Sequence, residues 1–233
     1  MKRTAAVPAP TPAARTTRTA GRSLTDEAYA QLEEAIVTMQ LRPGSAVSEA
    51  MLSERLGIGR TPIREALQRL AREHLVVVLP QRGILVSEID VKRQLRLLEV
   101  RREVERLIVR SAARRATPAE REEFAQLAAS MYRAAERNDA KTFVRGDKRF
   151  NDLCLAAARN EFAAGAMSLM HGLARRFWYL HYRQAADLPE TARLHADTAR
   201  AIADGDESAA AKALDALLDS IEAFTRATVS TDF

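Results

Sequence analysis

Apolar residues recur at three- and four-residue intervals along most of this chain, and the interruptions fall at proline, glycine and asparagine, which predicts a series of helices. From Thr25 to Gln40, Ala28, Leu32, Ala35, Ile36 and Met39 keep helical spacing until Pro43 and Gly44 stop it. "SEAMLSERLG" predicts a short second helix, with Ser48 as its N-cap and Gly57 as its stop. A third helix runs through "LGIGRTPIREALQRL", where Ile63, Ala66, Leu67 and Leu70 form one apolar stripe. Its cap is Gly59 or Thr61, and either places Pro62 in the first turn, where a missing N–H costs nothing. Leu52, Leu56 and Ile58 complete the expected core of this region.

The period then changes. "LVVVLPQRGILVSEI" holds two β-branched runs around Pro80-Gln81-Arg82-Gly83, a hairpin signal. Beyond Asp90 only helical periodicity remains, at about 91–115, 118–137, 139–158, 161–185, 189–204 and 206–228. The fold expected is mainly α: three helices and a β-hairpin, which is a winged helix-turn-helix, over 23–89, then an all-helical bundle over 92–228.

Composition narrows the possible functions. Of 233 residues, 47% are hydrophobic and 29% charged, as in ordinary globular proteins. The single cysteine, Cys154, excludes an intrachain disulfide and a cysteine-rich zinc site, so a reducing cytoplasmic compartment is expected. No apolar run is long enough to span a bilayer, and no signal-peptide core is visible. The net charge of +5 resides in residues 1–22, through Lys2, Arg3, Arg15, Arg18 and Arg22; the rest balances. That Ala-, Thr-, Pro- and Arg-rich segment reads as a disordered tail: inert, an arm on DNA phosphates, or a targeting leader.

Nucleic-acid binding must therefore be argued from local patches. A helix start disfavours positive charge, because the macrodipole is positive there, yet Arg60 and Arg64 crowd the start of the third helix. The placement makes sense if free N–H groups and guanidinium groups share one anionic partner, the phosphates or guanine edges of double-stranded DNA. Arg60, Thr61, Arg64 and Gln68 fall on the face beside the apolar stripe and are the expected DNA contacts. Arg82 and Gly83 at the hairpin tip suit a wing lying on the minor groove or its phosphates. Arg69 and Arg72 read instead as solvated or paired with Glu65 and Glu73.

The run "LRPGSAVSEAMLSERLGIGRTPIREALQRLAREHLVVVLPQRGILV" resembles the GntR family of bacterial transcription regulators, in its FadR-like branch with a C-terminal FCD effector domain. "LLEVRREVERLIVRSAARRATPAE", "GDKRFNDLCLAAARN" and "HADTARAIADGDESAAAKAL" continue the likeness, which covers about residues 25–220. It implies operator contacts at Arg60 and Arg64, and a wing contact at Arg82. A further arginine found in some members early in the second helix has no counterpart, since Ala50 and Met51 stand there. The resemblance also implies a homodimeric repressor on a pseudo-palindromic operator, with a metabolite, often an organic acid, altering DNA affinity. Physics agrees on the dimer, because one winged helix reads only a few base pairs.

Many FCD domains hold a divalent metal through an Asp, a His four residues on, and two later His. In that pattern Asp147 and His195 match, whereas Asn151 and Leu217 replace two histidines. Two strong donors and an amide make a poor transition-metal site, so no cofactor is expected. Zinc or nickel remains the alternative if His171 or His181 points inward. Without metal, side chains must hold the effector. Arg101 and Arg176 are the candidates for an acidic group, beside Asp147, Asn151 and His195, although Arg101 could equally pair with Glu105. Arg176 shares helical spacing with Leu169, Leu173 and Leu180, a stripe that reads as buried. Trp178, Tyr179, Met167, Met170 and Cys154 read as packing residues, and His74 as a surface or packing one.

An enzyme is not indicated: no nucleophile–base set or glycine-rich phosphate loop is evident, and the carboxylates lie unpaired on regular helices. The hairpin also lacks the aromatic platforms of RNA-binding modules. The remaining alternatives to a metabolite-responsive DNA-binding regulator are metal-dependent sensing by the same fold and a DNA-binding architectural protein without a ligand.

Overall fold

The computed structural model of the chain describes residues 23–79, 83–185 and 187–229. Helix α1 (Leu24–Val37) begins at a capping box: the Ser23 hydroxyl accepts from the Asp26 N–H, and the Asp26 carboxylate accepts from the Ser23 N–H. It stops before Met39, earlier than its apolar spacing predicts, and Met39 takes a positive φ on the way to Leu41. Helix α2 (Glu49–Leu56) has Ser48 as its cap, accepting from Met51 N–H, and ends at Gly57 in the left-handed region at φ 66°. Helix α3 (Arg60–Arg72) is capped by Gly59, without a side-chain hydrogen bond.

The wing is a three-stranded antiparallel sheet, not a hairpin alone. Strand β1 (Ala46–Val47) joins β2 (Val76–Leu79) and β3 (Gly83–Val86) in the order β1-β3-β2, with Ala46 opposite Leu85 and Val76 opposite Val86. Two residues are too few to show a period of two, so β1 leaves no mark in the sequence pattern. Ile36, Leu52, Ile63, Leu70, Leu75 and Val86 form the core beneath the sheet, whereas Leu56 is only partly buried.

Among the described residues six helices follow: α4 (Val91–Arg115), α5 (Pro118–Arg137), α6 (Ala140–Ala158), α7 (Glu161–Ala185), α8 (Leu188–Asp204) and α9 (Glu207–Val229). Thr117 with Pro118 starts α5, and Gly205 at φ 77° ends α8, as helix punctuation requires. The bundle packs α5 along α8 and α4 along α9. Its core includes Phe124, Met131, Phe150, Met167, Ile202 and Leu218; Phe124 meets Phe150 edge to face.

Helix α7 also packs on the winged helix. Leu173 belongs to the winged-helix core rather than to the bundle core. Beside it, Arg175 pairs with Glu33 at 3.1 Å and Glu34 at 3.0 Å on α1. Leu169 and Leu180, read as buried with Leu173, are exposed. Gly172 faces Leu75, and a Cβ there would lie 2.6 Å from Leu75 Cδ1. Gly172→Leu should therefore force this contact apart and destabilise the chain by about 1–3 kcal/mol, the usual cost of overpacking. Urea denaturation checks this; unchanged stability would show that α7 does not press on Leu75.

Candidate DNA interface and effector pocket

The buried stripe of α3 anchors the helix and leaves the opposite face outward: Ile63 and Leu70 are fully buried, while Arg60, Thr61, Arg64 and Gln68 are exposed. Because the first turn holds no acid and Gly59 supplies no capping side chain, the N–H groups there remain open to an anion. Arg64 is held by Glu49 of α2 in a two-point pair, Nε to Oε1 at 2.8 Å and Nη2 to Oε2 at 2.7 Å. That hydrogen bond holds the Glu49 carboxyl below its ordinary pKa. The pair is accessible, so a phosphate or base edge can displace the carboxylate. Glu49 carried no signal in the sequence, since only folding brings α2 beside α3.

Gly83 opens β3 at φ 92°, a left-handed conformation that suits glycine at the wing tip. Arg82 lies outside the described residues, as does the basic tail. Arg69 donates to Glu73 at 3.2 Å and lies 3.6 Å over the Tyr29 ring, a structural role, while Glu65 accepts from the Thr25 hydroxyl.

In the bundle, Asp147 and Asn151 project from one face of α6 and His195 approaches from α8. Asn151 Nδ2 donates to Asp147 Oδ1 at 2.9 Å, and His195 Nε2 lies 3.1 Å from the same oxygen. His195 Nδ1 is 2.8 Å from the Thr191 carbonyl. A carbonyl and a carboxylate only accept, so both ring nitrogens carry protons and His195 is an imidazolium. Burial opposes that charge, but the Asp147 carboxylate, helped by the Thr191 carbonyl and Glu105, outweighs it and raises the His195 pKa. Burial likewise disfavours the Asp147 carboxylate, yet His195, with His171 and Arg101 nearby, lowers its pKa. Phe143 and Phe150 hold the imidazole edge-on, at centroid distances of 5.3 and 5.9 Å.

Next to this pair opens a small cleft lined by Glu105, Phe150, Asn151, Cys154, Met167 and His171 among others. Arg101 pairs with Glu105 at 2.6 Å. Burial, with Arg101 adding to it, lowers the His171 pKa, so His171 is neutral where His195 is charged. Burial, with Glu105 and Asp147 nearby, pushes the Cys154 thiol well up and keeps it protonated.

Thus Arg101, Asp147, Asn151 and His195 come together, and His171, an alternative in the sequence reading, joins them. Arg176 does not. It is 3% exposed, and its guanidinium donates to the Ser87 carbonyl at 2.8 Å and the Glu88 carbonyl at 3.1 Å, at the domain junction. Its assignment to the effector pocket is corrected accordingly: of the stripe read as buried, Leu173 and Arg176 are covered by the winged helix and the linker, whereas Leu169 and Leu180 are exposed. His181 stacks on Phe177, and Leu217 is buried in the bundle core. The donors do not suit a transition metal. Asp147 Oδ1 is engaged by an imidazolium and an amide, and among the described residues no three His, Cys, Asp or Glu groups converge.

Residues 24–86 match the family described as "Bacterial regulatory proteins, gntR family", and residues 96–220 match the FCD domain. An HTH-type transcriptional regulator of Streptomyces ambofaciens is 42% identical over 76 residues; these make up 33% of this chain and about a third, 32%, of that relative's length. The HTH-type transcriptional repressor RspR of Escherichia coli is 26% identical over 198 residues, covering 85% of this chain and 87% of RspR. The solved structure of E. coli McbR/YncC aligns with a TM-score of 0.74 at 21% identity, over 90% of this chain and all of that one (100%), a likeness of fold.

The Asp147–His195 pair sets a pH window. A raised His195 pKa stabilises the fold fully below the ordinary histidine value, about 6.5, and the gain is lost as pH rises through the folded value. The lowered Asp147 pKa acts above the ordinary aspartate value and is lost as pH falls through the folded one. NMR titration should show His195 above and His171 below about 6.5, and Asp147→Asn should bring His195 down. A neutral His195 at pH 6 in the wild-type protein would contradict the assignment.

Proposed function

The chain belongs to the GntR family of bacterial regulatory proteins and carries an FCD domain, and from that membership we propose that it is a homodimeric repressor that releases a pseudo-palindromic operator when a small organic acid enters the bundle cleft. The family consists of transcription regulators, not enzymes. Among the described residues no helix is long and apolar enough to cross a membrane.

The exposed row Arg60, Thr61, Arg64 and Gln68 is the chief support for operator contact. In the major groove, Arg64 exchanges the Glu49 carboxylate for a phosphate or a guanine edge, so one anion replaces another. Arg60 and the free N–H groups of the first turn fix the helix on the backbone, while Thr61 and Gln68 reach base edges. The wing, with Gly83 at its turn and Arg82 beside it, follows the minor groove. Two such units related by a twofold axis match a pseudo-palindrome. Repression is suggested by RspR, a repressor by name that aligns over most of its length.

The cleft suits a small polar metabolite. Its charges are internally balanced, Arg101 against Glu105 and His195 against Asp147, so a ligand carboxylate competes with Glu105 for Arg101. Asn151 and neutral His171 supply further hydrogen bonds, and Phe150 and Met167 supply an apolar wall. No metal is required by this arrangement.

Arg64→Ala should weaken binding to the cognate operator by about five- to hundredfold, the usual range for one lost direct contact, and leave thermal stability nearly unchanged. Fluorescence anisotropy with an operator selected from random DNA checks this. Wild-type affinity in the variant would remove α3 from the interface.

A further inference from the structure

Arg176 has an unusual setting for an arginine. It is 3% exposed, yet among the described residues no carboxylate partners it; two of its N–H groups meet backbone carbonyls, and Nε has no hydrogen-bond partner there. A buried guanidinium ordinarily sits against an acid, because its desolvation is otherwise poorly compensated. The acids nearby are committed elsewhere. The Glu88 carboxylate is turned onto Gly44, and Asp90 caps α4 by accepting from the Lys92 N–H at 2.8 Å. Burial, with Arg93 next in effect, pushes the Arg176 pKa down to about 10, and Glu88 offsets this only in part.

Arg176 lines a small, partly open cleft between the two halves of the chain. Arg93 and Gln94, from the first turn of α4, line it as well, with Leu97, Leu173 and Phe177 as apolar walls. The site therefore presents two guanidinium groups and a buried amide; Glu88 and Asp90 also line it, and the Asp90 carboxylate already caps α4. It is separate from the bundle cleft, which has a different lining.

We propose that this junction cleft is a second ligand site, taking a small oxyanion, a carboxylate or phosphate group, between Arg176 and Arg93. The anion supplies the charge partner that Arg176 lacks and ties the first turn of α4 to α7. Because Arg176 also holds the Ser87 and Glu88 carbonyls, an occupied site stiffens the linker leaving β3. The proposal is independent of the identity of the bundle effector.

The full chain is titrated with inorganic phosphate and, separately, with malonate, at constant ionic strength, by calorimetry and thermal shift. One saturable site per chain is expected for at least one anion, and the stronger of the two identifies the oxyanion class. Arg93→Gln, at the partly exposed rim, should weaken it roughly tenfold, the scale of one lost charge-assisted hydrogen bond. Arg101→Gln in the bundle cleft should leave it unchanged. Arg176→Lys, which keeps the charge and loses the planar fork, should weaken it also; if that variant does not fold, Arg93→Gln decides. No saturable binding of either anion, binding indifferent to Arg93→Gln, or binding lost with Arg101→Gln would each overturn the proposal.

Discussion

The seating of α7 on the winged helix is the contact on which the rest of the molecule depends. Leu173 enters the winged-helix core, Gly172 lets the helix approach Leu75, and Arg175 and Arg176 fasten it to α1 and to the linker after β3. Besides these contacts, the DNA-binding unit and the bundle are joined through Ser87–Asp90 and through Leu97 of α4, which packs against the winged-helix core. With them, a helix whose residue 171 borders the bundle cleft places residue 173 in the core that supports α3. Such adjacency supplies a physical route for coupling; two populated arrangements are what coupling itself needs.

Charge is handled differently at the three sites. On α3 the arginines face solvent and one is lent to Glu49, a partner readily exchanged in water. In the bundle, charges are largely withdrawn from solvent and paired, so the anionic ligand proposed there would compete with an internal acid. At the junction Arg176 is buried and held only by carbonyls. The same residue type is thus open to solvent, internally balanced or a fastener, according to what surrounds it.

Much of this was legible in the sequence. Helix boundaries follow from Ser48, Gly57, Thr117-Pro118 and Gly205, because capping and left-handed stops depend on the local chain. The outward face of α3 follows from its own stripe. What escaped depends on contacts between distant segments: strand β1, the Glu49–Arg64 pair and the location of Arg176. The spacing of Leu169, Leu173, Arg176 and Leu180 predicted a buried face, but only Leu173 and Arg176 are buried, because what covers them is the distant winged helix and linker, while the two outer leucines face solvent. His171 and His181 looked alike as letters; only packing puts one in the cleft and the other on Phe177.

Hydrogen exchange of the full chain, free and bound to an operator selected from random DNA, tests most directly whether α3 reads DNA and α7 senses it. Slower exchange is expected over Arg60–Arg72 and the wing, together with a change in α7 around His171–Arg176, which packs on the winged-helix core through Leu173. Protection confined to other elements, or protection of α3 with α7 unaltered, would contradict the account.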